Sequence, residues 1–159
     1  MNSTRIEFIL KHDPVARKVF KGFAHPDYLK PFKKYPCLLI LNTDSITGPG
    51  EHWCACYFLN KNYAEFFDPY GLSPDIYGFT PLIKKYSKKI HFNKTPVQGL
   101  LASTCGHYVL FYALHRTRGL SSRTILNKFY TNDPVKNDNM VFKYLQKFGR
   151  VFGEIEQET

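Results

Sequence analysis

The chain has 159 residues, 43% of them hydrophobic and 22% charged. This is the make-up of one globular domain, 1–159, able to bury a core, and it excludes a disordered tail or a fibre. Lysine and arginine outnumber aspartate and glutamate by 22 to 13, a net charge of +9, which favours contact with polyanions. No apolar run reaches the ~18 residues of a membrane span, and the N-terminus lacks the apolar stretch of a signal peptide. A non-secreted chain is expected, and its four cysteines, Cys37, Cys54, Cys56 and Cys105, are then free thiols rather than a disulfide scaffold.

In chain order, residues 4–11 suit a short helix, and Asp13-Pro14 suits the start of another over Val15 to Phe20. Pro26, Pro31 and Pro36 punctuate the next stretch. Cys37 to Leu41 is a continuous apolar run and reads as a buried strand. Residues 42–51 are a loop by composition. His52 to Leu59 and Tyr63 to Asp68 form a hairpin around Asn60-Lys61-Asn62. Asp68 to Gly71 is a turn. Ser73-Pro74 opens a helix toward Lys85, against which Gly78 and Pro81 argue. Lys89 to Asn93 is a short strand. Residues 105–115 are apolar nearly all round, so they predict a central buried helix, ended by Gly119. Ser121 or Ser122 caps a helix to about Tyr130, and Asn137 or Asp138 caps a last one to about Phe148. The order gives an α+β chain.

Cys105 stands at the start of the central helix. A helix N-terminus lowers a thiol pKa and offers free N–H groups to an oxyanion. A thiol nucleophile also needs a base and an orienter for that base. His52 opens one hairpin strand and Asp68 closes the other, so both lie at the same end. A three-residue loop pairs Leu59 with Tyr63, which places Cys54 opposite Asp68 and His52 opposite Tyr70. His52 and Asp68 then share a face; a two-residue loop would separate them. Gln98, in the loop Pro96 to Thr104, is a candidate second oxyanion donor.

The ordered set His52-Trp53, Asp68, Gln98 and Cys105-Gly106 resembles the adenain family, the adenovirus-type cysteine endopeptidases with relatives in adenovirus-like viruses and polinton-type elements. Asn42-Thr43 before the loop into His52-Trp53, Phe67-Asp68-Pro69-Tyr70-Gly71, and the spacing from Gln98 to Cys105 are all similar to that family. Leu114 to Gly119 and Asn137 to Val141 look most like the element-encoded relatives. The resemblance covers about residues 20–148. It implies a mixed, mainly antiparallel sheet packed against helices, the circularly permuted papain-like arrangement. It also implies a nucleophile Cys105, a base His52, an orienter Asp68 and an oxyanion donor Gln98. The implied activity is maturation cleavage of viral or element-encoded precursor proteins by a monomer, in the host nucleus or virion, with DNA or a peptide as activator. The chain departs from the adenoviral enzyme in having Asp68 where that enzyme has Glu. It also has no cysteine between 69 and 97 to tether an activating peptide.

Two other functions compete. Proteases that remove ubiquitin-like modifiers share the order of residues, but they usually carry Asp before the cysteine, where this chain has Thr104. A basic nucleic-acid-binding module would explain the charge, but not the His52, Asp68, Gln98, Cys105 order. Lys84, Lys85, Lys88 and Lys89, with Lys30, Lys33 and Lys34, are candidate polyanion contacts. His52, Cys54 and Cys56 share a strand face, yet no second His/Cys cluster supports a zinc site, and no metal is expected.

Overall fold

A strand buried at every position belongs in a sheet covered on both faces. Cys37–Asn42 and Trp53–Phe58 are such strands, buried at all six positions each. A computed structural model describes residues 1–45, 47–48, 52–99 and 103–148, and places these two strands side by side inside a six-stranded sheet. In chain order the elements are α1 (Ser3–His12), β1 (Phe20–His25), β2 (Tyr28–Leu29), β3 (Cys37–Asn42), β4 (Trp53–Phe58), β5 (Tyr63–Phe67), α2 (Pro74–Tyr77), α3 (Thr80–Lys84), β6 (Lys89–Phe92), α4 (Cys105–Thr117), α5 (Ser122–Leu126) and α6 (Pro134–Leu145). Strand order is β2-β1-β3-β4-β5-β6. The β1–β3 and β5–β6 pairings are parallel and the other three are antiparallel. The expected α+β class, with a mixed and mainly antiparallel sheet packed against helices, is the observed one.

The alternation of side chains sorts the core into two clusters. Leu38, Ile40, Trp53, Ala55 and Tyr57 pack on the face covered by α1, α4 and α6. Cys37, Leu39, Leu41, Cys54, Cys56 and Phe58 pack on the other face with Phe79 and Ile83 of the α2–α3 region. The helix α4 is apolar all round because it is sandwiched. Its residues Tyr108 through Leu114 are buried between the sheet and its neighbouring helices. Gly119 follows the C-cap Arg118 with φ of 96°, where the sequence places it. Among the described residues no helix is long and apolar enough to cross a membrane.

The β4–β5 hairpin has the register the three-residue loop predicts: Ala55 opposite Phe67, Cys56 opposite Phe66, Tyr57 opposite Glu65, Phe58 opposite Ala64. Other expectations need correction. Asp13 does cap, accepting the Ala16 N–H at 2.8 Å. Only one 3-10 turn, Ala16–Lys18, comes after it, because the Val19 carbonyl already accepts the Leu38 N–H at 2.9 Å and draws the chain into β1. The pair β1–β2 is hidden by its prolines and by a bulge at Lys21, where Phe20 and Gly22 face consecutive residues of β3. The helix predicted from Ser73 to Lys85 breaks at Gly78, in the left-handed region with φ of 80°, into α2 and α3. The helix after Ser121 ends at Leu126 rather than near Tyr130. The loop predicted over 42–51 and that over 96–104 each lie partly outside the described residues.

The last helix starts ahead of its predicted caps. Asp133 is the N-cap, accepting the Lys136 N–H at 3.1 Å, with Pro134 at the first helical position. Asn137 is instead a buried tie. It accepts the Tyr130 N–H at 2.7 Å and donates to the Val97 and Tyr130 carbonyls at 3.0 Å each. Replacing Asn137 by alanine strands these main-chain groups. The expected loss is about 1–3 kcal/mol of stability, measurable by urea unfolding, and a loss within the error of the wild type would contradict the tie.

Candidate active site

Three segments converge at one end of the sheet. His52 precedes β4 and is held by Thr43: its carbonyl accepts the Thr43 N–H at 2.9 Å, and its N–H donates to the Thr43 hydroxyl at 3.2 Å. Asp68 comes directly after β5. The parity of the hairpin puts both side chains on one face, and His52 Nε2 lies 2.6 Å from Asp68 Oδ1. Cys105 opens α4, on the helix-covered side of the sheet. Its Sγ receives hydrogen bonds from His52 and from the Trp53 and Gly106 N–H groups. Gly106 is where the chain approaches closely: a Cβ there would lie 2.8 Å from Met1 Cβ and 3.5 Å from Trp53 Cδ1.

Asp68 is fully buried, a costly place for a carboxylate unless donors replace its water. Oδ1 accepts from His52 and from the Tyr70 N–H at 3.0 Å. Oδ2 accepts from the Leu72 N–H at 3.1 Å and the Tyr77 hydroxyl at 2.6 Å. The buried Cys54 thiol donates as well. The Asp68 main chain is pinned on both sides by Asn93, whose Oδ1 accepts the Asp68 N–H at 3.0 Å and whose Nδ2 donates to the Asp68 carbonyl at 2.6 Å.

These contacts set the charges. Burial works to raise the Asp68 pKa, but the hydrogen bonds from His52, Tyr77 and the Tyr70 N–H hold it below the usual carboxylate value. Burial works to lower the His52 pKa, and the hydrogen bonds and charges of Asp68 and Cys105 overcome it and raise it to about 9. Burial works to raise the Cys105 pKa, and His52 with the Trp53 and Gly106 N–H groups holds it below that of an ordinary thiol. The three shifts run in one direction, each favouring the charged form: thiolate, imidazolium and carboxylate. Tyr70 stacks on the imidazole, ring centroids 4.2 Å apart and planes 13° from parallel, which suits a cation.

Gln98 is buried, at 3% exposure. Its loop is docked on the turn after Asp68: the Pro69 carbonyl accepts the Val97 N–H at 2.9 Å and the Gln98 N–H at 3.2 Å. Gly71 permits this docking. It has φ of 70°, and a Cβ there would lie 2.6 Å from the Thr95 carbonyl carbon. Sequence reasoning therefore locates His52, Asp68 and Cys105, which the structure joins, and Gln98, which it ties to the same turn. It misses Tyr77, Asn93 and the stacking role of Tyr70. The family-like segment Phe67 to Gly71 contains Tyr70, but nothing local marks Tyr77 or Asn93, which reach Asp68 only through the fold.

Among the described residues, His52, Cys54 and Asp68 form a group whose ligand atoms all lie within 4.8 Å of one another; Cys56 is not part of it. Four N–H and O–H donors already occupy the carboxylate, and burial keeps the Cys54 thiol protonated, so a metal would have to displace the network that orients His52. Lys84, Lys88 and Lys89 line one groove of about 390 Å³ between the α2–α3 segment and β6, with Asp75 and His91. Lys85 is not among its lining residues.

The four thiols should differ sharply toward iodoacetamide. Burial pushes Cys37 up to about 12 and Cys54 and Cys56 well above an ordinary thiol. Native protein at neutral pH is expected to take up one equivalent, at Cys105, by peptide mass mapping. The rate should level off below the pH at which an ordinary thiol ionises, and His52→Ala should move that midpoint upward. Equal labelling of several cysteines, or an unmoved midpoint in His52→Ala, would contradict the ion pair.

No family model matches the sequence, and neither does any curated protein. Among solved structures, the chain is similar to the ASFV pS273R protease. In its selenomethionine form the identity is 24% over 69% of this chain and 43% of that one, with a TM-score of 0.46. A second structure of that protease gives 23% identity over 62% and 40%, with a TM-score of 0.40. The chain thus covers less than half the length of that protease. The central domain of the uncharacterized Lpg1148 protein from Legionella pneumophila matches nearly end to end, over 94% of this chain and 97% of that one, at 14% identity and a TM-score of 0.53. That last match is a likeness of fold.

Proposed function

We propose that the protein is a cysteine endopeptidase that cleaves viral or element-encoded precursor proteins. The observation that carries the reading is the continuous hydrogen-bonded series from Asp68 through His52 to Cys105 at the first turn of α4. In this mechanism the Cys105 thiolate attacks the scissile carbonyl carbon and the carbonyl oxygen takes the negative charge. The N–H of Cys105 and the side-chain NH₂ of Gln98 stabilise that oxyanion. The His52 imidazolium then gives its proton to the departing amine, the C–N bond breaks, and an acyl thioester remains. Neutral His52 takes a proton from water as the hydroxide attacks the thioester, and Cys105 leaves as thiolate. Asp68 stays ionised throughout and holds the imidazole in place.

The groove of Lys84, Lys88 and Lys89 supports DNA as a partner of this enzyme, bound through phosphates and without sequence preference. Replacing these three lysines by glutamine should lower DNA affinity and flatten its salt dependence, while leaving hydrolysis of an uncharged peptide as it was. Unchanged DNA affinity in that variant would remove the groove from the reading.

The enzyme itself is tested on a peptide library, with Cys105→Ala as control. Wild type should cleave and Cys105→Ala should not; cleavage by both, or by neither, would overturn the endopeptidase. Release of a fluorophore from modifier conjugates, with no cleavage of the library, would instead assign the chain to removal of ubiquitin-like modifiers. Asp68→Asn is expected to cost about tenfold or more in turnover, and His52→Ala nearly as much as loss of the thiol. The rate should fall on the alkaline side near the His52 value of about 9, because deprotonated imidazolium cannot protonate the leaving amine. A rate that still climbs above that pH would place the general acid elsewhere.

A further inference from the structure

A cluster of positive charge gathers at the β1 end of the sheet. Three segments, α1, the bulged strand β1, and the loop after β2, enclose a cleft of about 670 Å³. Five lysines line it, Lys11, Lys21, Lys30, Lys33 and Lys34, and all five are exposed. The one acid in the lining is Glu7, which pairs with Lys11 on α1. The lining therefore carries +4 of the chain's net +9.

The fold builds this grouping. The extra residue in the β1 bulge is Lys21 itself. The Lys30 side chain runs alongside Gly22, where a Cβ would lie in ordinary contact with it, 3.5 Å from Lys30 Cδ and 3.9 Å from Nζ, so the ammonium sits over the bulged strand. Lysine is a compact point charge suited to phosphate oxygens from several directions. Like charges gathered around one cavity repel each other until an anion fills it. The groove of Lys84, Lys88 and Lys89 lies at β6, on the far edge of the sheet with β3, β4 and β5 between it and β1. At the usual strand spacing that is roughly 19 Å away, so the two basic features are separate.

We propose that this cleft is a binding site for a compact oligophosphate, a ligand carrying several phosphates close together, such as an inositol polyphosphate or the triphosphate of a nucleotide. Five lysines gathered around a single cleft fit such a ligand better than they fit a long strand, whose phosphates need a linear track. The site is independent of the endopeptidase reading. Its floor nonetheless reaches the active site, since Phe23 in the lining packs on Trp53 with ring centroids 5.7 Å apart, and the Trp53 N–H donates to Cys105.

The test is calorimetric titration of the whole chain with inorganic tripolyphosphate at low salt, together with thermal unfolding. Saturable binding is expected, with a raised Tm, weakening severalfold between about 50 and 200 mM salt. Lys30→Gln/Lys33→Gln should lower affinity by about tenfold or more. Lys84→Gln/Lys88→Gln should bind as wild type does. Circular dichroism of both variants should match wild type, as the replaced side chains are exposed. Equal binding by all three proteins, or the same Tm shift from sulfate at matched ionic strength, would overturn the site. So would tight binding of a duplex oligonucleotide that depends on Lys30 and Lys33 where tripolyphosphate does not bind, because the occupant would then be nucleic acid.

Discussion

The site depends on a carboxylate that has no contact with solvent. An ionised group at 0% exposure survives only if the protein supplies the hydrogen bonds that water would have given. Asp68 receives them from His52, from two main-chain N–H groups of its own turn, from Tyr77 and from Cys54. These donors come from β4 and its N-terminal flank, from the turn and from α2, so satisfying one side chain fixes the relative positions of all three. In the proposed mechanism that charge favours a protonated His52, and His52 in turn lowers the Cys105 pKa. Asp68 thus acts on the thiol through His52, alongside the Trp53 and Gly106 N–H groups that touch the sulfur directly.

The scaffold divides this work between the two faces of the sheet. His52, Cys54 and Asp68 belong to the face that carries Cys56 and Phe58, whereas α4 covers the opposite face with Trp53, Ala55 and Tyr57 beneath it. The histidine stands just beyond the end of β4, where the ring can reach past the strand from one side to the thiol on the other. The Trp53 N–H, at the first position of that strand, reaches the same sulfur. The strand end is the meeting point, which explains why Asp68, His52 and Cys105 need not share a layer of the core.

The parts of this arrangement set by local rules are legible in the sequence. The hairpin register comes from a loop length, the apolar runs of β3 and β4 come from burial on both faces, and α4 comes from apolar residues on all sides. The rest depends on contacts distant in sequence. Asn93 and Tyr77 carry no local pattern, and only the folded chain brings them to Asp68. Asparagine commonly caps helices, so Asn137 reads as a cap; its amide is instead used between two loops, and the nearby Asp133-Pro134 does the capping. Strand β1 escapes sequence reading because its bulge and its flanking prolines erase the alternation by which a strand is recognised.

Asn93 lies one residue beyond β6, and β6 is an edge strand with a single neighbour, β5. Its burial pattern alternates between exposed and half-buried positions, with none fully covered. Edge segments of this kind open locally at a smaller free energy than the core requires. The double hydrogen bond that pins the Asp68 main chain is therefore anchored in one of the least protected parts of the sheet. Local opening of that edge would release the double hydrogen bond on Asp68 without unfolding the rest of the sheet, and would leave the carboxylate to its turn, His52 and Tyr77.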